Sequence, residues 1–260
     1  MKILIAFFLL AVSAFAAAPP EFSDVFVAGK DGFPAIRIPS VVVTKKGSVL
    51  AFAEARKARS ADQAGNELVL KRSRDGGRTW EAMQTIAADG ANSLNNPTSV
   101  VEQNSGCVWL MYQRIPGHLT EGSKQTATGY EGTNVYRNFL IWSDNDGATW
   151  SPPRDVTRST KHPTGATTLA SGPGNGIQLT RGSHEGRMII PFNEGPFGRW
   201  NNYAVFSDDR GATWQCGENV PGASVTDAKG KSRSQINEVQ MVEPDQQQCA
   251  GHADGRVRAG

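Results

Sequence analysis

The sequence is poor in the residues that most directly announce a chemistry. Three cysteines (Cys107, Cys216, Cys249) and four histidines (His118, His162, His184, His252) stand in 260 residues. An odd cysteine count permits at most one disulfide within the chain, and no spacing matches a metal site. Cys107 opens the apolar run Cys-Val-Trp-Leu-Met-Tyr, which predicts a buried, unreactive thiol. The histidines lie among turn residues and read as surface positions. No Gly-x-Ser-x-Gly elbow, phosphate loop or His-Glu-x-x-His is present. An excess of one charge is also missing. The 27 basic and 25 acidic side chains leave a formal +2, which gives no basic field for nucleic acid. After the first dozen residues no apolar run approaches the ~20 residues of a membrane span. Neither a cofactor nor a metal is expected.

The first residues differ from the rest. Lys2 precedes an apolar stretch from Ile3 to Val12, and Ala14-Phe15-Ala16 places small residues at a cleavage spacing. That pattern predicts a secretory signal peptide over residues 1–18, cut after Ala16 or Ala18. A transmembrane anchor is the alternative, and the run is too short for one. The mature domain is then 19–260, exported to the periplasm or the medium.

What the chain has in quantity is turn and aromatic residues: 28 Gly, 14 Pro, 11 Phe and six Trp, which with 20% charged residues argues against disorder. One template, Ser-x-Asp/Asn-x-Gly-x-Thr-Trp, occurs three times, at Ser73–Trp80, Ser143–Trp150 and Ser207–Trp214. Its chemistry is that of a turn. The Asp or Asn caps backbone N–H groups, Gly takes a positive φ, and Trp folds over the turn. Before each copy stand three short runs rich in β-branched and aromatic residues, and a fourth run follows the first copy. Each unit therefore reads as four antiparallel strands, with the Trp turn joining the third to the fourth. Tandem four-stranded sheets make an all-β chain of the β-propeller type. Three units are complete, and part of a fourth begins at Glu238. With too few blades for an ordinary closed ring, the propeller is expected to be incomplete.

With these turns in place, the chain resembles the exo-sialidases (neuraminidases), six-bladed propellers that carry such Asp boxes. The resemblance runs from about Phe22 to Glu243. Its most specific motif is Ile36-Arg37-Ile38-Pro39. Ala51-Phe-Ala-Glu54-Ala-Arg56, Asp62, Asn96-Pro97, Gly172-Pro-Gly174 and Asn237-Glu238 follow in order. The resemblance implies sialylated glycans (glycoproteins, glycolipids, oligosaccharides) as partners and hydrolysis of their terminal sialic acids. Arg37 matches the first arginine of a triad that clamps the sugar's carboxylate by charge-assisted hydrogen bonds. Asp62, in a loop of small and polar residues, matches the general acid/base. Glu238 matches the base that activates a tyrosine nucleophile, the family's departure from a two-carboxylate scheme. Glu54 would orient an arginine and Arg56 would contact the sugar, with an ordinary strand-end ion pair as the alternative. Asn96, and Glu121 in the insertion 116–136, complete the candidate substrate-binding set.

The triad's two other arginines and the tyrosine match nothing in these 260 residues, and Tyr112, Tyr130, Tyr136 and Tyr203 lie in other contexts. The chain alone is therefore expected to turn over sialosides at background. A non-catalytic glycan-binding or structural propeller is the alternative of a different class.

Overall fold

The computed structural model describes residues 21–58, 61–220, 224–226, 228–230, 232–234 and 236–244. The leader expected over residues 1–18, Cys249 and His252 lie outside them. The first sheet is β1 (Ala35–Val43), β2 (Val49–Arg56), β3 (Glu67–Ser73) and β4 (Gln84–Ala87), in that order. The second contains β5 (Ser93–Val101), β6 (Val108–Ile115), β7 (Arg137–Ser143) and β8 (Arg154–Asp155), followed by the short helix α1 (Thr157–Thr160). The third has its inner strand broken into β9 (Leu169–Ser171), β10 (Gly174–Asn175) and β11 (Ile177–Gln178), and continues through β12 (Met188–Glu194), β13 (Asn201–Ser207) and β14 (Gln215–Cys216). A hairpin of β15 (Ser224–Thr226) and β16 (Ser232–Ser234) comes last. These are the successive antiparallel blades of a propeller. The parallel pairing of β10 with β5 ties the third blade to the second.

The fourth unit departs from expectation. Glu238 to Glu243 has no strand ladder. The segment instead follows the inner edge of the third blade, with Val239 N–H donating to the Gly172 carbonyl at 3.0 Å and Glu243 accepting from Thr180.

Strand composition explains how the blades stack. In β6, Val108, Leu110 and Tyr112 pack toward the first blade, while Trp109 and Met111 pack toward the third. A strand with a period of two and both faces covered has no polar side, which is why this run is apolar throughout. On the far side of the first blade the small residues Ala53 and Ala55 leave room for Phe26 and Phe33. Near the axis, Ser40 Oγ bonds Ser99 Oγ and Asn175 Oδ1, both at 2.6 Å, joining the inner strands of all three blades.

The Asp boxes do more than close turns. Ser73 Oγ donates to Asp75 Oδ1, which accepts from Thr79 N–H at 2.9 Å, and the other copies repeat these bonds. Each box glycine, and the residue before it, has positive φ: Gly76 and Gly77, Asp146 and Gly147, Arg210 and Gly211. The tryptophans then reach backward. Trp150 meets Phe52 of the preceding blade edge-on at 5.5 Å, and Trp214 meets Trp109 at 6.4 Å. Gly147 lies on Leu50 and Gly211 on Trp109 so closely that a Cβ would collide. Asp146 also accepts from Thr44 and Ser48 of the first blade.

Strand register puts the boxes and the candidate site at opposite ends. Val49 pairs with Ser73, where the first box begins, whereas Ala35 pairs with Arg56 and Ala55 with Glu67 at the other end. Ser143 likewise pairs with Val108, far from Ser93 and Ile115, and Ser207 with Met188, far from Glu194.

Candidate active site

Each inner strand breaks at one equivalent place, always at a residue preceding proline. Ile38, Asn96 and Gly172 have φ of 54°, 52° and 61° before Pro39, Pro97 and Pro173. The ladder shifts register between Arg37 and Ser40 and between Asn95 and Thr98, and in the third blade it lapses between β9 and β10. A left-handed residue costs an L-amino acid about 1–2 kcal/mol, most for a β-branched one such as Ile38. The break turns the residues before it toward the mouth. Glycine and asparagine accept this geometry readily, whereas Ile38 adopts it between the ladder pairs Arg37–Glu54 and Ser40–Phe52.

At these strand ends lies a cleft of about 210 Å³ lined by Arg37, Arg56, Asp62, Glu121, Glu238 and uncharged residues around them. Arg37, Asp62 and Glu238 thus meet although they are remote in sequence. Arg56, 1% exposed, is the organiser of the wall. Its Nε and Nη2 donate to Glu54 Oε2 at 3.0 and 2.7 Å, and its Nη1 donates to Asp62 Oδ1 at 2.5 Å. Arg37 is half-exposed and only loosely paired with Asp62, at 3.9 Å. The Asp62 loop is held by its own backbone: its carbonyl accepts from Asn66 Nδ2 at 2.6 Å and Asn95 Nδ2 at 2.8 Å.

Glu54 is fully buried beneath Arg56 and is absent from the cleft surface. Burial raises its carboxyl above the ordinary value, while the Asn96 N–H at 2.7 Å and the Arg56 charge act in the opposite sense. The pair is a strand-end ion pair, and its Arg56 also faces the cleft. Asn96 touches the cleft, but its side chain donates to the Ser171 carbonyl at 3.1 Å and joins two blades. Glu121 lies in the wall as expected. Burial raises its carboxyl; the adjoining Trp200 indole opposes this, and the charge of Asp62 adds to it.

The sequence singled out neither Asn95, Gln113, Leu169, Ala170 nor Asn193, and Tyr136 stood there as a tyrosine in another context, yet all six line the cleft. A signal was there, since the second strand of each blade is an apolar run ending in buried polar residues: Glu54 and Arg56, Gln113, then Asn193 and Glu194. Gln113 Nε2 donates to Asn138 and Ser171, which leaves its Oε1 buried without a partner, as are Asn95 Oδ1 and the Tyr136 hydroxyl. Burial pushes the Tyr136 phenol up, and the nearby Glu121 charge adds to it. Beneath Tyr136, buried Lys161 donates to its carbonyl at 3.2 Å, and burial brings that ammonium down to about 8.

Two minor expectations are corrected here. His162 is not a surface residue: its ring bonds buried Glu194 at 2.8 Å and the Gly217 carbonyl at 3.1 Å, which gives the buried carboxylate at the strand end a polar partner. Cys107 is partly rather than fully buried, yet desolvation with the nearby acidic charges still pushes its thiol up to about 11. Among the described residues no group of three or more His, Cys, Asp or Glu is placed to hold a metal ion.

Residues 39–253 match the family described as a BNR repeat-like domain. A sialidase of Micromonospora viridifaciens is 31% identical over 202 residues, covering 76% of this chain and 31% of that protein. Sialidase-3 of Bos taurus is 34% identical over 200 residues, covering 70% of this chain and 45% of that one. Of the solved structures, Hadza microbial sialidase Hz136 superposes with a TM-score of 0.69 at 27% identity, over 81% of this chain and 40% of the other. The chain spans less than half the length of these relatives.

Proposed function

Since the chain belongs to the family of BNR repeat-like domains that includes the sialidases, we propose that its cleft takes the terminal sialic acid of a glycoconjugate for exo-α-sialidase chemistry. The observation that carries this reading is the meeting of Arg37, Arg56, Asp62 and Glu238 in one cleft. Arg37, half-exposed and loosely paired, has a planar fork of donors free to turn toward a carboxylate. Arg56 and two asparagines fix Asp62 at the mouth, where it can reach a leaving glycosidic oxygen as general acid. Glu238, exposed and lining the same cleft, is the carboxylate left to act on a phenol or a water. The basic-apolar-small pattern of residues 1–18 supports export. Among the described residues no helix is long and apolar enough to cross a membrane.

One observation favours the second reading, glycan binding without turnover. Tyr136 lines the cleft, but its hydroxyl is buried, and the carboxylate whose charge acts on it is Glu121. The test is the purified chain with a methyl α-sialoside in ligand-detected NMR and with a fluorogenic sialoside. Arg37→Ala and Asp62→Ala variants run alongside. We expect binding that Arg37→Ala weakens by about tenfold or more, and release of fluorophore no faster than in Asp62→Ala. Robust turnover lost in Asp62→Ala would exclude the second reading. A chain that neither binds nor hydrolyses either compound would overturn both.

A further inference from the structure

Just outside the charged cleft stands an aromatic pair that the proposed chemistry does not use. The loop 195–200 closes the β12–β13 hairpin, in which Glu194 pairs with Asn201. Its base is fixed: Gly195 N–H donates to the Thr168 carbonyl at 2.8 Å, and Gly195 lies so close to Thr168 that no side chain would fit. Its turn is fixed as well, by Arg199 N–H on the Pro196 carbonyl and by Gly198 at a φ of 79°. On this frame Phe197 and Trp200 meet edge to face, with ring centroids 5.4 Å apart at 78°. Phe197 nevertheless leaves 57% of its surface in water.

The pair is continuous with the cleft. Trp200 adjoins the carboxylate of Glu121, a cleft wall residue close enough to Asp62 to feel its charge. Phe197 covers Gly122 next to it, where a Cβ would sit 4.0 Å from the ring. A large apolar side chain kept exposed by a rigid turn, beside a polar mouth, suits a ligand with one apolar and one polar face. A pyranose has those faces: its C–H side stacks on an aromatic ring while its hydroxyls remain solvated or meet a carboxylate such as Glu121.

We infer that Phe197 and Trp200 form a stacking surface for the neutral sugar to which the terminal acidic sugar is attached. This rests on the sialoside reading of the cleft. The surface makes the protein prefer oligosaccharide aglycones to small alkyl ones.

The experiment compares methyl α-sialoside with 3′- and 6′-sialyllactose binding to the 260-residue chain. Titration calorimetry gives the affinity ratio for the wild type, Trp200→Ala and Phe197→Leu, the last keeping apolar contact with Gly122 while removing the ring face. An aromatic contact of this kind is worth about a threefold to tenfold change in affinity. The better trisaccharide should therefore bind the wild type about threefold to tenfold more tightly than the methyl sialoside, and the ratio should fall toward one in both variants. A wild-type ratio near one, or a loss shared equally by both ligands in the variants, overturns the inference. Failure of every sialoside to bind the wild type would instead overturn the reading of the cleft, and this surface with it.

Discussion

Arg56 holds two carboxylates on one guanidinium, one buried and one at the mouth, so it serves stability and site geometry together. Removing it leaves Glu54 as an uncompensated charge in the interior, a loss typically worth about 3–5 kcal/mol. Arg56→Met is expected to destabilise by that order in urea unfolding, and Glu54→Gln combined with Arg56→Met should recover a large part of it. Arg37 presents the opposite case. It is half-exposed with a loose ion pair, and such pairs contribute about 0–1 kcal/mol. Arg37→Ala should leave the urea midpoint nearly unchanged. It should nevertheless weaken a sialoside by about tenfold or more, since a hydrogen bond to a charged group is worth about 1.5–3 kcal/mol. The two arginines, nineteen positions apart in one blade, are therefore separable by measuring stability and binding on the same samples.

Among the elements, the Asp-box turn was the most legible in the sequence, because its polar bonds are local and its five fixed positions can be read from one strand end. Its second job was not legible. The contacts of Trp150 with Phe52 and of Gly211 with Trp109 depend on which blade lies alongside, and no local pattern carries that. Gly76 and Gly211 separate the two jobs. Both have positive φ, but a Cβ at Gly76 meets open space while one at Gly211 meets Trp109. Gly76→Ala should cost about 1–2 kcal/mol for the backbone alone, and Gly211→Ala about 1–3 kcal/mol more for overpacking, read from thermal unfolding. Similarly, the X-Pro motifs were visible one by one, whereas their common place at the break of the inner strand required the register. The motif residues of the cleft are legible through resemblance; Gln113 and Asn193 belong to no motif, and their only signal is the polar end of an apolar second strand. The β5–β6 turn offers a pH test. Burial alone would raise the Glu102 carboxyl, but hydrogen bonds from Ser105 Oγ and the Ser105 and Asn104 N–H groups overcome this and bring it to about 2. A carboxyl lower in the folded than in the unfolded chain stabilises fully above the unfolded value near 4.5, and that contribution disappears as pH falls toward 2. Glu102→Gln should therefore lower stability at pH 7 by about 2–3 kcal/mol, with the difference shrinking between pH 4.5 and 2 in urea titrations.

Across the described residues, the two larger apolar clusters lie between blades, and Trp109 sits in one of them against Trp142, Trp214 and Gly211. Stability of such stacks is close to a sum of nearest-neighbour contacts. Trp109→Ala should cost about 3–5 kcal/mol, and hydrogen exchange should show protection lost in the second and third blades more than in the first. Because the tryptophan of each later box packs into the blade before it, the array has a direction. A chain emerging from its N-terminus can lay down the strands of one blade, yet the tryptophan that packs against that blade is still unmade. Maturation must therefore lag one repeat behind synthesis, and at every moment the surface awaiting its tryptophan is the youngest part of the protein.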